Sequence, residues 1–240
     1  MRRLFFKGKL DEFIETTGRD AHHLKNVLRA KLGEEITVID DFNSSARMQT
    51  VEFTPNGVLL KLVEKIPLIG GSKTKLSVAL AVLKGDKTDM AIQKITELGA
   101  SEILPIITER VVAKLDDKKK ADKQKRWEKI ALEAAKQSGG VPPKVLPVRD
   151  LNEFLRNNKK PLIFFYENEE KNSLKEVLSN IKEDDFALLI GPEGGFSAME
   201  AENIIKAGGY PSTLGKRILR AETAAVVAVA LIMHERGELQ

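Results

Sequence analysis

From Lys75 onward, short apolar runs alternate with longer helical stretches, and this rhythm narrows the fold more than any other feature of the chain. KLSVALAVL reads as a strand, and Lys87 to Leu98 as a helix that Gly99 stops. EILPII is a second strand, and Lys119 to Ser138 a long helix closed by Gly139-Gly140 and Pro142-Pro143. KPLIFFYE and FALLIG add two more strands. Alternation of this kind predicts an α/β fold, a parallel sheet with helices on both faces. Ligands in such sheets sit beyond the carboxyl ends of the strands. The loops leaving those ends are therefore where function is sought.

One of those loops is LLIGPEGGF. Phe186 to Ile190 is a short apolar run, as expected of a strand covered on both faces. Ser197 opens a helix, with Glu200 at the capping-box spacing. Between them lie Gly191, Pro192, Glu193, Gly194, Gly195 and Phe196. Glycines tolerate positive φ and let another molecule approach the backbone, so the loop either turns a hard corner or holds something. It is not a Walker A loop, because no Gly-Lys-Ser/Thr follows, and it is not the GxGxxG dinucleotide fingerprint. A second loop, LGKRILRAETA from Leu214 to Ala224, also follows a strand-like piece and precedes a helix. Two such loops in adjacent positions can form facing walls of one pocket. Glu222 and Thr223 would stand at the last helix's N-terminus, where acids and hydroxyls satisfy free N–H groups.

Residues 1–70 read differently. GEEITVID is strand-like, and MQTVEFTPNGVLLKLVEKI reads as two strands around Thr54-Pro55-Asn56-Gly57, a hairpin signal. Asp20 to Lys31 reads as a helix with Ala21, Leu24, Val27 and Leu28 on one face. A small β-barrel with one helix fits. PLIGGSK, with Pro67, Gly70 and Gly71, is the expected linker to a second domain over residues 75–240.

The 240 residues are 42% hydrophobic, enough for a proper core. With no cysteine and three histidines, disulfides are excluded and a zinc site is not expected. MRRLFFKGKL lacks the apolar segment of a secretory signal, and no uncharged apolar run approaches about 20 residues, so a soluble cytoplasmic protein with no membrane contact is expected. The net charge of +4 is only mildly basic, a weak pointer to a polyanionic partner. KLDDKKKADKQKRWEK reads as a solvated helix face, and AETAAVVAVALIMHE as a helix buried in the core or at a subunit interface.

IGPEGGF followed by LGKRILRAETA resembles the SPOUT-class RNA methyltransferases. Within them it is similar to the 16S ribosomal RNA uridine-N3 methyltransferases of the small-subunit methyltransferase E type. The likeness extends to HLKNVLRAKLGEEITVID, LKGDKTDMAIQKITELGASEILPIITERVV and RWEKIALEAAKQSGG, in the family's order and over essentially the whole chain. Gly140 departs from it, standing where the family pattern carries arginine. The resemblance implies a SPOUT-type parallel sheet with a deep C-terminal trefoil knot, preceded by a PUA-like β-barrel that binds RNA. It implies S-adenosylmethionine (SAM) as methyl donor, no metal, a homodimer with the last helix in its interface, and uridine 1498 of 16S rRNA in the small ribosomal subunit as target.

On that reading the base must be extruded and its N3 proton lost, leaving negative charge that preorganised donors would stabilise. Arg220 is the first choice, because its planar fork suits a flat anionic base edge; a salt bridge to Glu222 or Glu193 is the competing role. Glu193 and Glu222 are candidate proton acceptors, provided their pKa is raised or a water relays. Leu83, Ile190, Gly191, Gly194, Leu214, Gly215, Ile218, Leu219, Thr223 and Ala224 would line the cofactor pocket, and Glu167 would reach the ribose or the sulfonium. RNA contacts would come from Arg2, Arg3, Lys7, Arg19, His22, Lys25 and Arg29, with Arg110 and Gln137 from the second domain. The first 31 positions hold eight Lys or Arg against four acids, a local enrichment that the total charge hides. Two other readings stay open: a non-catalytic RNA-binding or ribosome-assembly factor on the same fold, and a phosphate-handling enzyme using the glycine loop as an anion cradle.

Overall fold

A computed structural model describes residues 3–27, 29–42, 44–67, 72–111 and 115–239. The chain divides into two compact units, Met1–Gly71 and Ser72–Gln240. Of the expected linker PLIGGSK, residues 68–71 lie outside the described residues, as do Arg2 and Leu28.

The first unit is a five-stranded sheet in the order β1-β3-β4-β5-β2. Its strands are β1 (Arg3–Phe6), β2 (Phe13–Thr17), β3 (Glu35–Asp40), β4 (Ser45–Phe53) and β5 (Gly57–Ile66). β1 runs parallel to β3 and the remaining pairs are antiparallel. The expected β4–β5 hairpin is present, closed by the Thr54 N–H donating to the Gly57 carbonyl at 3.0 Å. All five strands contribute to one apolar cluster, among them Leu4, Ile14, Val38, Met48 and Leu60, with Leu24 of the helical segment.

That helical segment corrects an expectation. In place of one helix over Asp20–Lys31 there is a short α1 (Gly18–His22) followed by a single π-helical turn, His23–Val27. Arg29 takes a left-handed conformation with φ of 49°, and the Ala30 N–H donates back to the Leu24 carbonyl. This closes the helix before Lys31. Ala21 and Leu24 are buried as expected, whereas Val27 faces solvent.

The second unit carries a seven-stranded, wholly parallel sheet in the order β12-β10-β11-β6-β7-β8, with β9 also on β7. The principal strands are β6 (Lys75–Ala81), β7 (Glu102–Ile107), β10 (Leu162–Phe165), β11 (Asp185–Ile190) and β12 (Gly209–Ser212). β8 (Lys144–Val145) and β9 (Arg149–Asp150) are two-residue pieces. Alternate residues of β6 and β11 point into opposite apolar layers. Val78, Leu80, Leu188 and Ile190 pack with α2 (Lys87–Glu97), α3 (Asp117–Ser138), α5 (Leu174–Asn180) and α7 (Ala221–Glu235). Ala79, Ala81, Ala187 and Leu189 pack with α4 (Leu151–Asn157) and α6 (Ala198–Lys206). Both faces are thus covered, as the apolar runs required.

The long helix α3 is largely solvated but anchored by Trp127, whose ring is fully buried and whose indole N–H donates to Asp89 Oδ1 at 2.9 Å. Gly139 ends α3 at φ of 72°. A side chain at Gly140 would meet only Ser138 Oγ, at 3.4 Å, so space does not explain why this position departs from the arginine of the family pattern. Among the described residues no helix is long and apolar enough to cross a membrane, and no His, Cys, Asp or Glu cluster could hold a metal.

Candidate active site

The chain leaves β6 toward β7 on one side and leaves β11 toward β12 on the other. The gap between the carboxyl ends of β6 and β11 is therefore a topological switch point, where open α/β sheets bind ligands. The glycine loop follows β11 at this gap. A cleft of about 560 Å³ lies against it, lined on one side by Ile190 to Glu193, Gly195 and Phe196 and on the other by Thr213 to Gly215 and Arg217 to Ala221. That volume falls in the range of small-molecule sites, about 300–1,000 Å³. The two loops that the sequence put in adjacent strand-to-helix positions do face one another.

The glycines of the first wall have distinct reasons. Phe196 is buried and stacks edge-on against Phe164, with ring centroids 6.1 Å apart. A Cβ on Gly191 would lie 3.0 Å from the Phe196 ring, so a side chain there requires the buried ring to shift. Gly195 turns at φ of 67°, and a Cβ on it would crowd Glu167 Oε2 at 3.1 Å. The helix beyond is held by the expected capping box: Ser197 Oγ accepts from the Glu200 N–H, and Glu200 Oε2 accepts from the Ser197 N–H. The other Glu200 oxygen accepts from the Glu109 N–H, tying this helix to the loop after β7.

Glu193 sits in the first wall. Its Oε1 accepts from the Lys84 N–H at 3.1 Å and from Lys87 Nζ at 3.3 Å. Partial burial pushes its carboxyl up. Its own backbone N–H, the Lys84 N–H and the Lys87 ammonium outweigh that and hold it below the ordinary carboxylate value. A raised pKa was one of two conditions set on Glu193 as a proton acceptor, and the shift has the opposite sign, which leaves the relaying water as the other. Glu222 is buried in the first turn of α7, with Oε1 3.9 Å from Lys87 Nζ. It does not cap the helix: Arg220 is the N-cap residue, without a side-chain cap bond, and Thr223 is exposed.

Arg220 lines the cleft, and its guanidinium has no ion-pair or hydrogen-bond partner among the described residues. Lys87 has taken both carboxylates that competed for it. Lys87 itself escaped the sequence reading. The available signal was a cation at the first position of a helix, where the dipole disfavours it.

Eight of the eleven expected cofactor contacts line the cleft: Glu167, Ile190, Gly191, Leu214, Gly215, Ile218, Leu219 and Ala224. Leu83 is buried and donates its N–H to Thr88 Oγ1, and Gly194 turns its carbonyl to Arg110 Nη1 at 2.7 Å. Neither lines the cleft, and Thr223 does not either. Of the expected RNA contacts, Lys7, Arg19, His22, Arg29, Arg110 and Gln137 are exposed, Arg3 is half-buried, and Lys25 Nζ donates to the Thr54 carbonyl. A second cavity, about 670 Å³, opens beyond β7 and β9, and two ion pairs, Lys119–Asp116 and Arg149–Glu153, lie within its lining.

A doubly covered parallel sheet with a glycine-walled cleft at the carboxyl ends of its strands defines an enzyme-like ligand site, and similar proteins give its class. Residues 71–233 match the RNA methyltransferase domain, and residues 16–43 match the RNA methyltransferase PUA domain. The chain belongs to the ribosomal RNA small subunit methyltransferase E family. It is 34% identical to that protein of Bacillus subtilis, over 98% of this chain and 97% of the relative. It is 37% identical to that of Mesomycoplasma hyopneumoniae, over 94% and 96%. Among solved structures it is similar to a putative methyltransferase from Legionella pneumophila in complex with SAM, with a TM-score of 0.84, 30% identity and 97% of each chain covered. The small subunit methyltransferase E of Neisseria gonorrhoeae, bound to S-adenosyl methionine, gives 0.84 at 27% identity over 98% of each chain.

Proposed function

We propose that this chain transfers a methyl group from SAM to N3 of uridine 1498 in 16S rRNA, within the small ribosomal subunit in the cytoplasm. The observation that carries the reading is the convergence of the two loops on one cleft at the carboxyl ends of β10, β11 and β12, with an uncommitted arginine at its rim. Family membership supports methylation of ribosomal RNA.

The residues fit the cofactor. Ile190, Leu214, Ile218 and Leu219 supply apolar walls for the adenine, and the glycines leave backbone groups accessible to its edge. The Glu167 carboxylate suits the cationic part of the molecule or the ribose. When bound, SAM supplies an electrophilic methyl. The chain's own work is to orient that group toward the base and to stabilise the uracil anion. Arg220 donates to the carbonyl oxygens beside N3. Glu193, held ionised, is a structural anion on this account, and the N3 proton leaves to solvent.

The same reading includes a C-terminal trefoil knot and a homodimer. α7 buries Ala225, Ala228, Val229 and Ile232 in its own core yet leaves Leu231 43% exposed, a face suited to a second copy. It also makes residues 1–70 the RNA-docking unit. Purified protein incubated with labelled SAM and small-subunit particles, followed by mapping of the modified base, tests the proposal. Label on that uridine supports it, whereas label on another base overturns the target. Absence of both label and SAM binding favours a non-catalytic assembly factor.

A further inference from the structure

Lys87 stands where three elements meet. It is the first residue of α2, and its ammonium lies 3.3 Å from Glu193 on the glycine loop and 3.9 Å from Glu222 on α7. Glu222 is only 5% exposed, and its Oε2 has no hydrogen-bond partner among the described residues. Lys87 is the one cation within ion-pair distance of it there. A buried carboxylate with an unsatisfied oxygen is costly unless a cation stays beside it.

We propose that Lys87 is a positioning residue whose single ammonium ties the glycine loop to the start of α7 and so sets the gap between the two walls of the cofactor cleft. The inference rests on the SAM reading for its functional meaning, but the ionic joint exists in the protein alone. Glu193 belongs to the wall after β11, and Glu222 to the helix that begins where the second wall ends. Without the lysine, the two carboxylates, one on the glycine loop and one on α7, lose their common counter-charge. The buried one has no alternative partner among the described residues, and its repulsion and hydration both act to part the walls. Lys84 is no substitute, because it contributes its backbone N–H and holds only Glu193.

Three variants and two measurements test this. Amide hydrogen exchange of the glycine loop in cofactor-free protein reads the joint directly, and calorimetry with SAM reads its consequence. Lys87→Met is expected to raise exchange across Gly191–Phe196 by about tenfold and to weaken SAM by about tenfold, with turnover at saturating SAM falling less than affinity. Lys87→Arg keeps the charge and stays near wild type. The double variant Lys87→Met/Glu222→Gln removes the uncompensated charge and recovers most of the loss. Unchanged exchange in Lys87→Met overturns the joint, as does a double variant no better than the single one. Should Lys87→Met fail to fold, recovery of folding in the double variant supports the joint, and continued misfolding refutes it. A wild-type protein without SAM heat refutes the cofactor reading, and the exchange result then judges the joint by itself.

Discussion

The two walls of the cleft are built on opposite plans. The glycine loop is tethered from three sides: Glu193 to the turn before α2, the Gly194 carbonyl to Arg110 beyond β7, and Phe196 to the buried layer under the sheet. The facing loop has little of this. Thr213 Oγ1 bonds Gly215, while Gly215, Lys216, Arg217, Ile218 and Arg220 are exposed, Ile218 by 89%. One wall presents a fixed backbone, and the other presents side chains. A preorganised backbone reads a cofactor with little ordering cost, whereas exposed side chains gain their burial only when a ligand arrives. Covering Ile218 is worth about 1.5–3 kcal/mol. On this division, binding geometry belongs to the first wall, and ligand-dependent contacts, the one proposed for Arg220 included, to the second.

The largest test of the division is Arg220→Ala. If the second wall carries the chemistry, turnover with small-subunit particles falls about 10²–10³-fold, the usual cost of losing a charge-stabilising donor. The heat of SAM binding is largely kept, because no partner among the described residues depends on the guanidinium. Unchanged turnover would remove Arg220 from the reaction.

The glycines of the two walls give a smaller contrast. Gly191→Ala drives a methyl against the buried Phe196 ring, a backbone-to-core collision expected to cost about 1–3 kcal/mol of stability and to displace the loop. Gly215→Ala meets open space, but at φ of 106° it carries backbone strain, about 1–2 kcal/mol. Chemical denaturation measures both costs, and SAM calorimetry separates them: Gly191→Ala weakens binding about tenfold, and Gly215→Ala less. The reverse order would mean that the second wall, not the first, fixes the cofactor.

Why the sequence revealed one wall better than the other follows from the same contrast. The strands of the parallel sheet were legible because burial on both faces leaves unbroken apolar runs such as ALLI and SVALAVL, and the Ser197–Glu200 spacing announced a helix start that the structure confirms. The pairing of the two loops was legible from their places in the strand–helix alternation. Lys87 was not, because a lysine at a helix start looks like any solvated charge until the fold brings Glu193 and Glu222 to it from 106 and 135 positions away. The two-residue strands β8 and β9 carry too few side chains to show a period. The early end of the N-terminal helix turned on one left-handed residue, Arg29, which no pattern of apolar spacing encodes.

Acidification offers a graded probe of the first wall. The folded pKa of Glu193 lies below its ordinary value of 4.5, so its ionised contacts stabilise the protein fully above that value and are lost as pH falls through the lowered one. The melting-temperature gap between wild type and Glu193→Gln should therefore stay level from about pH 8 to about pH 5 and close at lower pH. A gap that instead opened on acidification would show a carboxyl raised by burial, which would let Glu193 accept the proton without a relaying water.

Arg110→Ala is expected to have the smallest effect, and it sharpens the comparison at its weakest point. The guanidinium is exposed and donates to the Gly194 carbonyl at 2.7 Å, so it is both a tether of the first wall and one of the expected RNA contacts. A solvated hydrogen bond of this kind contributes about 0.5–1.5 kcal/mol. If tethering is its only role, SAM affinity falls severalfold and the salt dependence of binding to small-subunit particles is unchanged. Loss of a phosphate contact would instead leave SAM affinity alone and lower the slope of log K against log salt by about 0.7–0.9. The two measurements move independently, so together they decide whether the tethered wall also meets RNA.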